Sequence, residues 1–206
     1  MRRKSKNRRL FIGQIIFITG VSKFHKVSIF SDLNQLTDIS LTKKYAGLCG
    51  ITDDELQEYF GPEIEALAME QNMSREQCLM TLKQTYDGYL FHANGVHVYN
   101  PYSLLNAFFH GEFGSYWYET GTPSFLIRKL RNTRFDIRSI TGKTLYVDET
   151  TLKDYAGDTI DPVPLLFQTG YLTIAEYDAR RKRYTLCFPN EEVKYGFLGY
   201  PGKGSI

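Results

Sequence analysis

The sequence predicts an α+β protein that is mainly α-helical. Serine, threonine, aspartate or asparagine precedes helix-compatible runs at several points, and apolar residues in those runs recur at helical spacing. Strands are indicated near both ends, because residues 15–18 form an apolar, β-branched run and residues 171–177 and 184–188 alternate in polarity. We therefore expect an early strand, a helical middle and a small mixed unit at the end.

The early strand should end at a polar loop. Its apolar run, residues 15–18 (IIFI), stops at Thr19 and Gly20, and a basic loop follows. A buried parallel strand of an α/β sheet ends in this way at the edge where ligands bind. Such a strand needs neighbouring strands, yet only residues 1–14, which are mostly cationic towards their start, precede it. We therefore expect that the start of a domain is missing.

The helical middle should begin with two capping boxes. Thr52 is followed by Glu55, and Ser74 by Gln77, so each pair can bond reciprocally across the first helical turn. A glycine-proline pair at residues 61–62 should interrupt the first helix. The side chains predicted to point inward are Leu56, Tyr59, Phe60, Ile64, Leu67, Cys78, Leu79, Leu82 and Tyr86.

Further helices are predicted where a capping side chain precedes proline. The pairs lie at residues 100–101, 122–123 and 161–162, and the three helices should end near Gly111, Asn132 and Gly170. Between residues 90 and 99, an asparagine-glycine pair predicts a short hairpin.

The final third should form a helix, a hairpin and a second helix capped by Asn190, an order typical of a winged-helix-like module. The predicted domains are residues 1–40 (basic segment and early strand), 41–157 (helical region), 158–198 (winged-helix-like module) and 199–206 (tail). Tyr171, Tyr177 and Tyr184 on the hairpin could stack on nucleic-acid bases, but cross-strand or core packing is the favoured interpretation.

Composition favours a packed protein in the cytoplasm. Of 206 residues, 42% are hydrophobic and 15% aromatic, which excludes disorder for most of the chain. No apolar run approaches the roughly 18 residues of a membrane helix, and no signal-peptide core follows the basic start. Cys49, Cys78 and Cys187 show no metal-site spacing and are predicted to be reduced, mostly buried thiols.

Two basic clusters leave nucleic-acid binding open. Six of the first nine residues are Lys or Arg, and residues 180–183 (RRKR) occupy the predicted hairpin turn. Such clusters can bind phosphate backbones, although a solvated tail and a charged turn are the favoured interpretation. Metal binding by His92, His97 and His110 is disfavoured, because no cysteine or carboxylate stands beside them at zinc spacing.

Acidic residues near helix starts are interpreted as structural. Residues 53–55 (DDE) fall in a first helical turn, where negative charge is favourable. Glu192 and Lys194 match the E-x-K pattern of nucleases, but they open a helix instead of following a metal-binding aspartate on a strand. We therefore predict neither catalytic nor metal-ligating residues in this chain.

Several long strings resemble the AAA-ATPase-like family of bacterial proteins, P-loop ATPase relatives that often carry a PD-(D/E)XK nuclease-like domain at the C-terminus. The resemblance runs from about residue 17 to about residue 198, in the family's order. The strings are residues 17–24 (FITGVSKF), 27–30 (VSIF), 86–91 (YDGYLF), 98–105 (VYNPYSLL), 116–126 (YWYETGTPSFL), 166–172 (LFQTGYL) and 184–193 (YTLCFPNEEV).

The resemblance implies the following order of regions along the chain. The early strand would be a remnant core strand of a P-loop ATPase sheet, followed by a helical lid-like region and the winged-helix-like module. In a complete relative, which is expected to bind ATP and Mg²⁺, Thr19 would sense the γ-phosphate, with Ser22 and Lys23 close behind it. These three residues are the candidate cofactor-binding residues, in a complete relative only.

The sequence itself lacks a phosphate-binding loop. The P-loop pattern G-x-x-x-x-G-K-[ST] has one near match at residues 142–144 (GKT), but Ile137 stands where the first glycine belongs. We therefore expect a truncated, non-catalytic member of the family, without ATP or Mg²⁺ of its own. A missing ATPase half or another protein would be its partner. The alternative is a nucleic-acid- or protein-binding adaptor that uses the basic segment and the winged-helix-like module.

Overall fold

A computed structural model of the protein describes residues 37–121, 130, 145–153 and 161–199. The predictions for the strand at residues 15–18, the helix start at residues 122–123 and the sequence at residues 142–144 lie outside these ranges. Within them the protein is α+β, with helices and a three-stranded antiparallel sheet. No helix among the described residues combines the length and apolar character that a membrane span requires.

The first described range is mainly helical, as predicted, and the later ranges combine helices with the sheet. A short 3₁₀ turn, Lys43–Tyr45, precedes the first α-helix. The helices of the first range are α1 (Asp53–Tyr59), α2 (Gly61–Glu70), α3 (Arg75–Tyr86), α4 (Pro101–His110) and α5 (Tyr116–Gly121). The later elements are β1 (Leu145–Asp148), α6 (Glu149–Lys153), α7 (Val163–Gln168), β2 (Thr173–Asp178), β3 (Arg183–Cys187) and α8 (Glu191–Gly199).

Both predicted capping boxes are confirmed. At the start of α1, the Glu55 N–H donates to Thr52 Oγ1 at 3.3 Å, and the Thr52 N–H donates to Glu55 Oε2 at 2.9 Å. Ser74 and Gln77 make the same reciprocal pair at the start of α3. Each box satisfies N–H groups that a helix start otherwise leaves unpaired.

The interruption between α1 and α2 is also confirmed, but the inward position predicted for Tyr59 is wrong. Tyr59 is 65% exposed. The chain leaves helical geometry at Phe60, where φ is −117° and ψ is 22°, and Phe60 stacks on Phe108 with ring centroids 5.7 Å apart. Phe60, which was also predicted to point inward, packs against the core of the helical part.

Two other local predictions need adjustment. The proline-capped helix starts at Val163, one residue later than predicted, and the Asp161 carboxylate accepts its N–H at 2.9 Å. The predicted hairpin at residues 90–99 shortens to one bridge between Tyr89 and Val98, and the next residue, Tyr99, pairs with Ile51 instead. Cys78 is buried and Cys187 is partly buried, but Cys49 is exposed; all three thiols are free.

The predicted order of helix, hairpin and helix is confirmed by α7, β2, β3 and α8. A third strand, β1, pairs with this hairpin, although β1 lies outside residues 158–198, the range predicted for the winged-helix-like module. The sheet order is β1-β3-β2, with Val147 opposite Tyr184 and Asp148 opposite Arg183. β1 lies before the predicted domain boundary at 157/158 and pairs with a strand after it, so one sheet includes residues from both sides of that boundary.

The apolar side chains form two cores. The first surrounds the sheet, α7 and α8, and its fully buried members include Tyr171, Leu166 and Val193. The second fills the space between the helices of the first range, and it contains Leu56, Ile64, Leu67, Ala68, Cys78, Leu82, Tyr86, Tyr99, Leu104 and Ala107.

Thr173 connects the short bridge at Tyr89 to strand β2. Its hydroxyl accepts the Leu90 N–H at 2.7 Å and donates to the Leu90 carbonyl at 3.2 Å, and the side chain is buried.

Thr173→Val keeps the shape of the side chain but leaves two buried backbone groups unpaired, so we expect a loss of about 2 kcal/mol in the free energy of unfolding. Urea denaturation should show this loss. Thr185→Val, at a partly buried position of β3, should change stability by under about 0.5 kcal/mol; an equal effect of both changes would contradict the role of Thr173.

Candidate functional site

Five buried polar residues from three separate parts of the chain meet where α3 ends and α4 and α8 begin. They are Asp87, Asn100, Ser103, Asn190 and Glu192, and we call them the polar junction. Each is at most 8% exposed. Buried polar groups are costly unless they find hydrogen-bond partners. Their partners therefore show what this cluster can do.

Glu192 makes most of the contacts in the polar junction. Its Oε2 accepts a hydrogen bond from the Ser103 hydroxyl at 2.7 Å. Its Oε1 accepts the backbone N–H groups of Trp117 and Tyr118, at 2.7 and 3.3 Å. These N–H groups lie at the start of α5, where a helix has unpaired donors and a partial positive charge. One carboxylate of α8 therefore fixes both α4 and α5.

Two asparagine caps position Glu192 and Ser103. The Asn190 side chain accepts the Val193 N–H at 3.1 Å, and its amide group donates to the Asp87 carbonyl at 3.0 Å. Asn190 thus starts α8 and anchors it to the end of α3. The Asn100 side chain accepts the N–H of Ser103 at 3.3 Å and starts α4 in the same way.

The chain approaches itself closely beside the polar junction. Gly88 has a φ of +101°, and a Cβ atom built there would lie 2.0 Å from the Pro189 carbonyl oxygen. Only glycine fits both the backbone angle and this distance. The close approach allows residues after α3 to reach the loop before α8, where Asn190 lies.

Burial raises the pKa of Glu192. Hydrogen bonds from Ser103, Tyr118 and Trp117 oppose this effect, and the nearby Glu119 adds to it. The carboxylate lies deep in the protein, and three donors already occupy its oxygens. The geometry suits a cap that joins helices and does not resemble a base held open for substrate.

An aromatic cluster covers one side of the polar junction. The Tyr171 ring lies 5.0 Å from the ring of Trp117 and 5.4 Å from that of Phe197. Tyr171 is fully buried, which confirms packing for this residue.

Tyr177 and Tyr184 form a cross-strand pair on the hairpin with ring centroids 4.5 Å apart, as the packing interpretation predicted. A hydrogen bond to Glu149 raises the pKa of Tyr177 to about 12.

The other predicted features have the following positions. Thr19, Ser22 and Lys23 lie outside the described residues, so the structure does not test them. Within the described ranges, no group of three or more His, Cys, Asp or Glu residues could hold a metal ion. The acidic turn at residues 53–55 contains the cap Glu55, and the Asp53 carboxylate accepts the Tyr99 hydroxyl at 3.0 Å.

Sequence reasoning found Glu192 only as half of an E-x-K pattern and missed its contacts. No spacing rule connects a glutamate to a serine 89 residues earlier. One signal was present: residues 86–91, 98–105, 116–126 and 184–193, which carry the family resemblance, also supply the polar junction and its donors.

Comparison with known proteins identifies one similar sequence. Over 179 residues, or 86% of this chain, the sequence is 37% identical to "Uncharacterized protein in vnfD 5'region" of Azotobacter chroococcum mcd 1. The chain spans 32% of that relative's length. No protein-family model matches the chain, and no solved structure matches it.

Proposed function

We propose that this chain is a non-catalytic, structural part of an AAA-ATPase-like protein of the bacterial cytoplasm, whose complete relatives bind ATP and Mg²⁺. In this proposal α1 to α5 form the lid-like region, and α7 to α8 form the winged-helix-like module. The polar junction carries the proposal, because Glu192 of the module bonds directly to the starts of α4 and α5. The two parts would then act as one unit beside an ATPase core.

Two further observations support this proposal. The strings that resemble the family supply the polar junction, so the resemblance and the hydrogen bonding concern the same residues. The Azotobacter relative is about three times as long as the matched region, which leaves room in that protein for other domains. In this proposal the partner of the chain is an ATPase domain or another protein.

We expect the purified chain neither to hydrolyse ATP nor to bind it with micromolar affinity. The physical reason is the absence from its sequence of the P-loop pattern, whose backbone N–H groups and lysine hold the phosphates. Phosphate release and calorimetric titration with Mg²⁺ and ATP measure the two activities. Lys143→Ala is the matched control, since Lys143 belongs to the nearest match to that pattern. Turnover that disappears in this variant would refute the proposal.

The alternative proposal is an adaptor that binds nucleic acid or protein through the hairpin. It is favoured by the turn between β2 and β3, where Arg180, Arg181 and Lys182 are exposed. Arg181 is 3.7 Å from Asp178, a surface pair of small energetic value. Salt-dependent retention on DNA that Arg180→Ala and Lys182→Ala together reduce would support the adaptor. Equal retention of the wild type and this variant would count against it.

A further inference from the structure

The helical part of the described chain is strongly acidic. Residues 52–121 contain 11 Asp or Glu and only two Lys or Arg, a net charge of −9, whereas the whole chain has a net charge of +2. The basic residues are Arg75 and Lys83, both on α3. A charge imbalance of this size favours association with cationic partners.

An exposed apolar stripe lies on α4 within this acidic part. Tyr102, Leu105 and Phe109 are 47%, 47% and 83% exposed. Their spacing places them on one face of the helix. The opposite face, with Leu104 and Ala107, is fully buried against the second core. Exposed apolar side chains that lie next to one another on a surface often mark a site that binds another molecule.

The acidic residues reach the C-terminal end of this stripe. A Cβ atom built on Gly111, which ends α4, would lie 3.4 Å from the Glu70 side chain. His110 stacks on Tyr116 with centroids 5.5 Å apart, and Glu112 and Glu119, after burial, raise the pKa of Tyr116. The C-terminal carbonyls of α4 add partial negative charge at the same end. From residue 101 to residue 121 the sequence has no Lys or Arg.

We propose that the α4 stripe, Tyr102, Leu105 and Phe109, is a docking surface for a basic, apolar segment of a partner protein. The apolar side chains of that segment would cover the stripe, and its Lys or Arg residues would face Glu70, Glu112 and Glu119. An amphipathic helix offers both features, since apolar anchors recur along one face and cations flank them. Binding at this surface does not require that the chain be related to an ATPase, so it can be tested independently of the proposed function.

A labelled peptide tests this surface. The probe is a short fluorescein-labelled peptide of leucine and lysine at amphipathic helical spacing, and the control peptide has glutamate in place of lysine. Fluorescence anisotropy should show saturable, salt-sensitive binding of the lysine peptide by the full chain. The triple variant Tyr102→Ser, Leu105→Ser, Phe109→Ser should weaken binding at least about tenfold, as removal of central anchors does.

Matched variants distinguish specific binding at this surface from nonspecific binding of the peptide elsewhere on the chain. The double variant Tyr59→Ser, Met80→Ser removes exposed apolar side chains from α1 and α3 and should bind the lysine peptide like the wild type. Glu112→Gln with Glu119→Gln should weaken binding several-fold and flatten its salt dependence. Glu58→Gln with Glu176→Gln removes the same charge elsewhere and should change binding less. Circular dichroism confirms that each variant remains folded.

Three results would overturn the proposal. The first is equal binding of the lysine and glutamate peptides, and the second is equal loss in the α4 and control variants. The third comes from sedimentation: if the wild type is a dimer that the α4 variant dissociates, a second copy of this chain occupies the stripe instead of a basic partner.

Discussion

Replacing Gly88 with alanine should cost at least about 3 kcal/mol of folding free energy, because an L residue is strained at φ +101° and the new methyl group meets the Pro189 carbonyl. The oxygen of that carbonyl is only 2.0 Å from the expected Cβ position, and a backbone group cannot rotate away as a side chain can. Relief would require the end of α3 to move away from the loop before α8. We expect the variant to unfold at lower urea concentration or to accumulate as aggregate.

Gly61→Ala is the matched control for this substitution. Gly61 is the first residue of α2, and a Cβ atom there would have no neighbour within 4 Å. Alanine restricts the unfolded chain without a clash, so the variant should match the wild type or gain up to about 1 kcal/mol. A Gly88→Ala protein as stable as the Gly61→Ala protein would mean that α3 and the loop before α8 are not held together as described.

Replacing Glu192 with alanine should destabilise the chain by about 3 kcal/mol, because Ser103, Trp117 and Tyr118 lose a buried acceptor together. Glu192→Gln retains a carbonyl oxygen for the two N–H groups, and its amide can donate to Ser103. We expect the glutamine variant to lose only about 1 kcal/mol. Urea denaturation followed by tryptophan fluorescence suits this measurement, since Trp117 is the only tryptophan.

Glu191→Ala tests whether the effect is specific to the buried carboxylate. Glu191 is exposed in the same first turn of α8, so its removal should change stability by under about 0.5 kcal/mol. Similar losses for Glu191→Ala and Glu192→Ala would indicate that only the charge at the start of α8 matters.

The stability of the wild type relative to Glu192→Gln should depend on pH. Because burial raises the pKa of Glu192 above its unfolded value, the folded state holds this proton more tightly than the unfolded state. The resulting contribution to stability is complete below the unfolded pKa and disappears as the pH rises through the folded pKa. The free energy of unfolding of the wild type should therefore rise relative to that of the glutamine variant as the pH is lowered. A gain on raising the pH would show that hydrogen bonding outweighs burial.

Local sequence signals predicted much of the described fold, because capping and turn formation depend on residues within a few positions. Thr52, Ser74, Asn100 and Asn190 each start a helix as expected. The prediction for Tyr59 was wrong: Tyr59 is the last residue of α1 and stays exposed, while the neighbouring Phe60 packs against the second core.

Long-range contacts could not be predicted in this way. Glu192 bonds to Ser103 across 89 residues, and only the folded chain brings the two together. The pairing of β1 with β3 likewise depends on a register that a four-residue segment does not specify. The α4 stripe also looks like an ordinary core-facing pattern in the sequence until the buried face of the helix is known.

The place of β1 in the sheet decides where this protein can be cut. A fragment that starts at the predicted boundary, residue 158, would contain β2, β3 and α8 but would lose β1. β3 would change from the central strand to an edge strand, with unpaired backbone groups and the side chains of Tyr184 and Leu186 less covered. The fragment would keep a two-stranded hairpin whose only cover among the described residues is α7 and α8, and its β3 edge would be open to pairing with another chain. Fragments that contain the hairpin and α8 should therefore begin before Leu145, so that β1 covers β3 and the fragment stays monomeric.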